Sequence, residues 1–165
     1  MKPAVPMLLA VLAALALGKP AAAQNAVQID RARGGSSCPH CNLFQADFSN
    51  KRLTGRNFAG SRLRQADFSA AVMNHSVFAG ADLRDVNAYG GLFSGSVFSG
   101  ANLTHASFVG AYLQGASFHD ATLDGTNFSG AEMSHARGLT QRQLDAACGD
   151  EATTLPPGLH VPRCR

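Results

Sequence analysis

The chain places a large apolar residue at every fifth position over most of its length. Steps of five from Leu43 to Met133 give 19 positions, and 18 of them hold Leu, Phe or Met. A spacing of five matches neither the 3.6-residue period of a helix nor the two-residue period of a strand. The sequence therefore predicts a repeat architecture, in which short units stack on one another.

The residue two positions before each large one is usually small. The unit therefore reads small–polar–large–x–x, as in Ala-Asp-Phe-Ser-Ala at 66–70. Over residues 41–135 this pattern closely resembles the pentapeptide-repeat family. The resemblance implies an all-β solenoid, a right-handed quadrilateral β-helix with four units per coil and the Leu or Phe side chains pointing inward. The 19 units would make about 4.75 coils, stacked about 4.8 Å apart into a solid rod without a catalytic cleft.

The first residues are typical of a secretory signal peptide at 1–23. Lys2 supplies a positive start, residues 6–17 are apolar, and three alanines at 21–23 suit cleavage. The apolar stretch is shorter than the about 20 residues that a membrane-spanning helix needs. We therefore expect an exported protein, periplasmic or secreted, without a membrane anchor after cleavage. The rest of the chain divides into an N-terminal arm at 24–37, a repeat region at 38–137 and a C-terminal cap at 138–165.

A short helix is predicted in the C-terminal cap. Thr140 and Gln143 have the spacing of a capping box, in which each side chain bonds the backbone N–H of the other residue. The predicted helix covers 141–148, and Gly149 is a suitable stop because glycine often follows a helix. This helix should lie across the last coil and cover Met133, and the tail should run extended.

The four cysteines should be oxidised in an exported protein. Exported members of the family often carry a Cys-Pro-x-Cys element before the first unit, which implies a local disulfide between Cys38 and Cys41. The C-terminal segment also resembles the cap of such members, where Cys148 and Cys164 would form a second disulfide. The alternative is a thiol–disulfide redox protein, because Cys-Pro-x-Cys also resembles the active site of thioredoxin-fold oxidases. That chemistry depends on a helix N-terminus and a surrounding αβ fold.

Some outward positions are apolar where the repeat normally places polar residues. Five of them would line up in two adjacent columns and form what we call the apolar strip: Val72, Leu92 and Tyr112 in one column, Val77 and Val97 in the next. Exposed apolar patches often mark contact surfaces. The strip therefore predicts a contact, centred on Leu92, with an unknown protein partner or a second copy. The alternative is that these residues only shield the ladder of backbone hydrogen bonds between coils and bind nothing.

The repeat has one gap and a set of glycine corners. Ala88 replaces a large residue between Phe68 and Phe108, and Phe93 is placed to lean into the resulting space. Glycine recurs at several corners, and a type II turn favours glycine at its third residue because φ is positive there. We therefore predict type II turns at some corners.

Known catalytic and metal-binding patterns do not stand out in the sequence. The two cysteine pairs belong to opposite ends of the rod, which rules out one zinc ion held by all four. Asp47 and Asp67 would stack in one column, where they could hold a weak cation, but solvated corner residues are the simpler interpretation. No catalytic triad, phosphate loop or pair of catalytic carboxylates is apparent. We therefore predict no enzyme activity, no metal and no cofactor.

The charge of the repeat region distinguishes between the remaining candidate functions. Some pentapeptide-repeat proteins mimic DNA and bind type II topoisomerases, a role that needs an acidic rod. Residues 41–135 hold seven acidic and six basic side chains, so this role is the least favoured and no nucleic-acid partner is expected. Arg62 and Asp82 would stack as a weak surface pair. The sequence thus predicts an exported, non-enzymatic structural or protein-interaction module.

Overall fold

Backbone bridges between residues twenty positions apart stack the pentads into coils. The computed structural model describes residues 25–165, so the predicted signal peptide at 1–23 lies outside the described residues. Parallel bridges join Asn42 to Arg62 and every later pentad in the same register, up to the bridge between Ser117 and Arg137. A return of twenty residues equals four pentads, so the cross-section has four sides. Each side contributes a single bridged residue in place of a longer strand.

The four bridge columns define four faces of the rod. Face 1 begins at Asn42, face 2 at Asp47, face 3 at Arg52 and face 4 at Asn57, and each face gains one residue with every coil. Consecutive faces are separated by one corner. Faces 1 and 3 are therefore opposite each other, as are faces 2 and 4.

Type II turns form the corners. Every fifth residue from 40 to 130 has a positive φ, between 52° and 71°. This residue is third in a turn closed by a hydrogen bond such as that from Ala46 N–H to Leu43 O, 3.1 Å. The prediction of type II turns at glycine corners is confirmed. Corners without glycine adopt the same conformation, for example Ala70 with φ 52°, although a left-handed residue with a Cβ costs about 1–2 kcal/mol.

The interior of the rod is filled by the large residues of the repeat. None of the 19 inward positions is more than 3% exposed. Phenylalanine rings stack coil upon coil, with ring centroids from 5.0 Å apart at Phe48 and Phe68 to 5.9 Å apart at Phe108 and Phe128. Close packing of this kind leaves the side chains few alternative positions.

Phe93 fills the space beside Ala88, as predicted. Its ring lies edge-on to Phe68 at 6.2 Å and to Phe108 at 5.5 Å, the two phenylalanines on either side of the gap. This arrangement requires glycine at the small position before it. A Cβ on Gly91 would lie 2.5 Å from Phe93 Cε2, which is too close for any other residue. The gap, the large ring and the glycine therefore act as one packing unit.

A helix that the sequence analysis missed closes the N-terminal end. Helix α1 covers Ala26–Arg33, within the segment described above only as an arm. Asn25 is its N-cap and accepts a hydrogen bond from the N–H of Gln28. Ile29 and Ala32 are buried and join the hydrophobic core. The asparagine cap and the three-residue spacing of Ile29 and Ala32 were the available signals.

The C-terminal helix is present but shorter than predicted. Helix α2 covers Gln141–Asp145, and Thr140 caps it with both halves of the capping box formed. Its C-cap is Ala146, so the prediction that Gly149 stops the helix is wrong. Gly149 is needed for a different reason. A Cβ there would lie 2.7 Å from Thr153 Oγ1. The prediction of an extended tail is wrong around Gly158, where a turn closed by the hydrogen bond from Leu159 N–H to Pro156 O at 3.2 Å interrupts it.

The tail continues the ladder beyond the last pentads. Asn127 bridges Cys148 and Glu132 bridges Thr154, which lengthens the register from 20 residues to 21 and 22. Met133 donates its N–H to the carbonyl of Thr154 at 2.9 Å. The tail thus pairs with the backbone of Met133, and the expectation that α2 covers this residue stays a prediction.

Candidate interaction face

The apolar strip lies on faces 3 and 4 of the rod. Val72 bridges Leu92 and Leu92 bridges Tyr112 on face 3, while Val77 bridges Val97 on face 4. The structure thus brings together the five residues that the sequence analysis grouped. Their use as a contact surface stays a prediction.

The strip combines one exposed aromatic residue with half-buried aliphatic ones. Tyr112 is 44% exposed, and the other four members are half-buried. Tyr89 lies at the corner before face 3, in the same coil as Leu92, and is 61% exposed. It extends the apolar surface toward face 2.

The backbone beneath the strip is fully used by the ladder. Leu92 donates its N–H to Ala71 O at 2.8 Å, and its own carbonyl accepts from Met73 N–H at 2.7 Å. A partner therefore cannot add a strand to this face through backbone hydrogen bonds, one common mode of recognition. Only the side chains of the strip are available for contact.

Both predicted disulfides are formed. Cys38 is bonded to Cys41 and Cys148 to Cys164. Cys38 and Cys41 are only 1% and 6% exposed, and Cys38 Sγ lies 4.0 Å from the carbonyl of Gln28 in α1. The first disulfide is therefore part of the core at the N-terminal end.

Corner histidines pack over glycines of the next coil. A Cβ on Gly60 would lie 2.5 Å from His40 Nδ1, and a Cβ on Gly95 would lie 2.6 Å from His75 Nδ1. The sequence analysis missed this pairing, although the spacing of twenty residues was visible. Within residues 25–165, no group of three His, Cys, Asp or Glu side chains could hold a metal ion.

Asp47 and Asp67 bond locally on face 2. Asp47 Oδ1 accepts from the N–H and the hydroxyl of Ser49, at 2.9 and 2.6 Å. These hydrogen bonds, led by that from the hydroxyl, lower the pKa of the Asp47 carboxyl. Asp67 Oδ1 accepts from the N–H of Ser69 and from Asn87 Nδ2. The two carboxylates therefore act as turn-forming groups.

The predicted pair between Arg62 and Asp82 is wrong. Asp82 bonds to Arg84 at 2.7 Å instead, a residue only two positions away in the chain. The hydrogen bond from Arg84 lowers the pKa of the Asp82 carboxyl. The guanidinium of Arg62 lies 5.1 Å above the ring of Phe44, in the geometry of a cation–π contact.

A cleft of about 570 Å³ lies beside α2. Thr140 supplies the one hydroxyl in its lining, and this hydroxyl donates to Gln143 Oε1 at 2.9 Å while its oxygen accepts from Gln143 N–H as the helix N-cap. The cleft therefore lacks a free nucleophile paired with a base, the arrangement that acyl transfer needs. Its lining consists of His119, Asp120, Ala121, Gly138, Thr140, Arg142 and Gln143.

A comparison with protein-family models identifies one family. The profile described as pentapeptide repeats matches in eight copies, within residues 36–74, 52–87, 61–100 and 92–130. Among curated proteins, none matches the chain significantly. Across residues 25–165, no helix has the length and apolar character needed to cross a bilayer.

Several solved structures are similar. A pentapeptide repeat protein from the Arabidopsis thaliana thylakoid lumen is 26% identical over 65% of this chain and 83% of that chain, with a TM-score of 0.38. Rfr23 from the cyanobacterium Cyanothece 51142 is 19% identical over 78% of this chain and 95% of that chain, with a TM-score of 0.39. QnrB1, a plasmid-mediated fluoroquinolone resistance protein, is 21% identical over 66% of this chain and 65% of that chain, with a TM-score of 0.37.

Proposed function

Because the chain belongs to the pentapeptide-repeat family, we propose that it is an exported, non-enzymatic module that binds another protein through the apolar strip. Members of this family fold as right-handed quadrilateral β-helices, and the inward positions here are filled. The interior therefore offers no room for a substrate. The outer faces are left as the functional surface.

The observation that carries the proposal is the contrast between opposite faces. Face 1 presents charged and polar side chains such as Arg62, Asp82 and Asn102, whereas the same positions on face 3 hold Val72, Leu92 and Tyr112. Apolar surface contributes about 25 cal/mol per Å² once a partner removes it from water. A rigid ladder holds these side chains in place, so little backbone ordering opposes binding.

The cysteines support export. Within residues 25–165 no cysteine is free, and disulfides persist mainly in oxidising compartments. Expression with its full N-terminus in a bacterial host should yield a periplasmic protein whose intact mass corresponds to a chain that starts at Gln24. A mass that retains residues 1–23 would contradict signal cleavage.

The alternative redox function has less support. Thiol–disulfide exchange requires that an attacking thiolate reach a sulfur atom, and Cys38 and Cys41 are almost fully buried. No helix begins at either residue, since α1 ends at Arg33, so the usual source of a low thiolate pKa is missing. We expect no turnover in an insulin-reduction assay. Catalytic turnover that depends on Cys38 would support the redox function and contradict the proposed one.

The DNA-mimicking role also has less support. Residues 41–135 hold nearly equal numbers of acidic and basic side chains, and some of them pair with each other, as Arg64 does with Asp85 and Arg84 with Asp82. A DNA mimic needs a continuous acidic surface to compete for a basic groove. We expect the protein to leave DNA supercoiling by a type II topoisomerase unchanged.

Site-specific crosslinking tests the proposed contact surface. A photoreactive amino acid at Leu92 should capture a protein in the compartment of the native host. The control is the same group at Thr122, an exposed outward position on face 1. Capture at Leu92 that exceeds capture at Thr122 supports the proposal, and equal or no capture at the two positions contradicts it.

A charge placed on the strip should weaken the contact. Val72→Asp combined with Leu92→Asp should reduce co-purification of the captured protein, because two carboxylates would have to be buried without partners. Thr122→Asp should have no effect, since it adds a carboxylate to the opposite face. Circular dichroism should show that all these variants keep the fold.

A further inference from the structure

We propose that the partner on face 3 is a second copy of this chain, packed antiparallel, with Arg52 of each copy paired to Glu132 of the other. This inference rests on the proposed function, since it names the occupant of the face 3 column of the apolar strip. It would make the protein a symmetric dimer whose contact surface is the same patch on both copies.

The order of residues along face 3 suits such a dimer. The column runs Arg52, Val72, Leu92, Tyr112, Glu132. The cation and the carboxylate each lie two coils from Leu92, or about 10 Å at the usual strand spacing. A two-fold axis through Leu92, along the side of the coil, therefore places Arg52 opposite Glu132 and Val72 opposite Tyr112. Both ends match without any sliding of one rod along the other.

The two charged side chains are available for this contact. Arg52 and Glu132 are both exposed. Within residues 25–165, the three ion pairs use other side chains: Arg64 with Asp85, Arg84 with Asp82, and Arg163 with Glu151. The apolar centre between the two charges also gains from Tyr89, since the same axis brings the two Tyr89 side chains toward each other.

Charge along the whole rod favours the antiparallel arrangement. Residues 25–64 carry seven basic and two acidic side chains, whereas residues 65–165 carry five basic and nine acidic ones. An antiparallel pair brings the basic end of one copy to the acidic end of the other, which favours association. A parallel pair would place Arg52 against Arg52 and Glu132 against Glu132, and like charges in contact oppose binding.

The small size of the patch indicates a weak dimer. Arg52 and Glu132 lie four coils apart, about 19 Å along the rod. One such face falls below the roughly 800 Å² that each partner contributes to a standard interface. We therefore expect an association that depends on protein concentration and weakens with salt, because exposed ion pairs are screened.

Charge reversal tests the geometry. Sedimentation equilibrium of the oxidised protein, freed of residues 1–23, should show a concentration-dependent dimer. Arg52→Glu alone and Glu132→Arg alone should each weaken the dimer about tenfold or more, since each creates two like-charge contacts. An equal mixture of the two variants should associate again, because one chain then carries acidic groups at both ends of the column and the other basic groups at both ends. The double variant should also associate.

Arg142→Glu is the charge-matched control. It changes the net charge as Arg52→Glu does but lies on α2, away from face 3, so dimerisation should be unchanged. If the mixture fails to associate, or if Leu92→Asp leaves the dimer intact, the antiparallel geometry is wrong. If the unmodified protein stays monomeric at every concentration while Leu92 still crosslinks to a different protein, this inference falls and the proposed function stands.

Discussion

The two ends of the rod are closed in different ways. At the N-terminal end the main-chain pairing stops at Cys38 and His40, whose N–H groups donate to Asn57 O and Ala59 O at 2.8 Å each. Beyond them a side chain meets the ladder, where Gln28 Oε1 accepts from the N–H of Asn42 at 2.7 Å. At the C-terminal end the main chain itself continues the ladder. Cys148 donates its N–H to Thr126 O at 2.9 Å and accepts from Phe128 N–H at 2.8 Å. The N-terminal end is thus capped by a side chain of α1, and the C-terminal end is extended by further main-chain pairing.

The difference follows from the need to satisfy backbone polar groups at a sheet edge. An unpaired buried N–H or C=O costs about as much as a lost hydrogen bond, and an open edge also invites pairing with other chains. The tail supplies both a donor and an acceptor on the two sides that it pairs with, at Cys148 and at Thr154, whereas a single side chain supplies fewer. We therefore expect the C-terminal closure to contribute more to stability than the N-terminal one.

The largest expected effect comes from the large buried side chain of each cap helix. Leu144 of α2 is 0% exposed and Ile29 of α1 is 8% exposed. Leu144→Ala should lower the free energy of unfolding by about 4 kcal/mol and Ile29→Ala by about 2 kcal/mol, because the more enclosed site leaves the larger cavity. Urea unfolding measures both. Val27→Ala, at a residue that is 75% exposed, is the control and should change little. An equal or larger loss of stability for Ile29→Ala would contradict the larger contribution of the C-terminal closure.

The two disulfides should differ next. Cys148 and Cys164 are 16 residues apart, whereas Cys38 and Cys41 are three apart. Replacing both members of the C-terminal pair by Ala should cost about 3 kcal/mol, and the N-terminal double replacement about 2 kcal/mol, because the longer loop restricts the unfolded chain more. Denaturant unfolding of the oxidised proteins gives both values. A larger loss for the shorter loop would show that native packing at Cys38 outweighs the entropy of the unfolded chain.

The glutamines of the two cap helices provide a sharper comparison. Gln143 Nε2 donates to the carbonyls of Phe118 and Ala121, each at 2.9 Å, whereas Gln28 Oε1 accepts one hydrogen bond from the ladder. Gln143→Ala should cost about 2 kcal/mol and Gln28→Ala about 1 kcal/mol, because the first removes the two hydrogen bonds to ladder carbonyls and the capping-box bond from Thr140 N–H at 2.9 Å, whereas the second removes one hydrogen bond. Arg142→Ala controls for helix propensity in α2. Equal losses for the two glutamines would mean that the number of satisfied ladder groups does not decide stability.

The smallest expected effect is on stability in acid. The N–H of Gly130 lowers the pKa of the Asp150 carboxyl, and the hydroxyl of Ser49 lowers that of Asp47, both from the ordinary 3.8. A lowered pKa in the folded state means that the stabilisation is fully present above pH 3.8 and is lost as the pH falls through the folded-state pKa.

Replacement of each carboxylate measures that contribution. Asp150→Asn should reduce the loss of thermal stability on acidification more than Asp47→Asn does. Asp150 bonds a residue twenty positions away, whereas Asp47 bonds one two positions away, a local contact that an unfolded chain keeps in part. Melting temperatures at about pH 6 and about pH 3 give the comparison. A larger effect of Asp47→Asn on the loss of thermal stability in acid would contradict this prediction.

The regular part of the rod could be predicted from local sequence because each unit repeats the same contacts. The inward side chains, the type II corners and the capping box at Thr140 all follow from residue type at short spacing. Helix α1 could not be predicted in the same way. Its eight residues bury only Ile29 and Ala32, too few to show a clear period, and the helix is stabilised by the coil that it covers.

The spacing of five by itself determined which side chains face inward and which form the apolar strip, because a chain that returns every twenty residues leaves no freedom in that assignment. Only the tertiary structure decided how the ends close and which charges pair. Gln28 meets Asn42 across 14 residues, Gln143 meets Phe118 across 25, and Asn127 bridges Cys148. These contacts depart from the repeat, so their partners are chosen by which backbone groups the last coils leave unpaired, and that is known only once the coils are stacked.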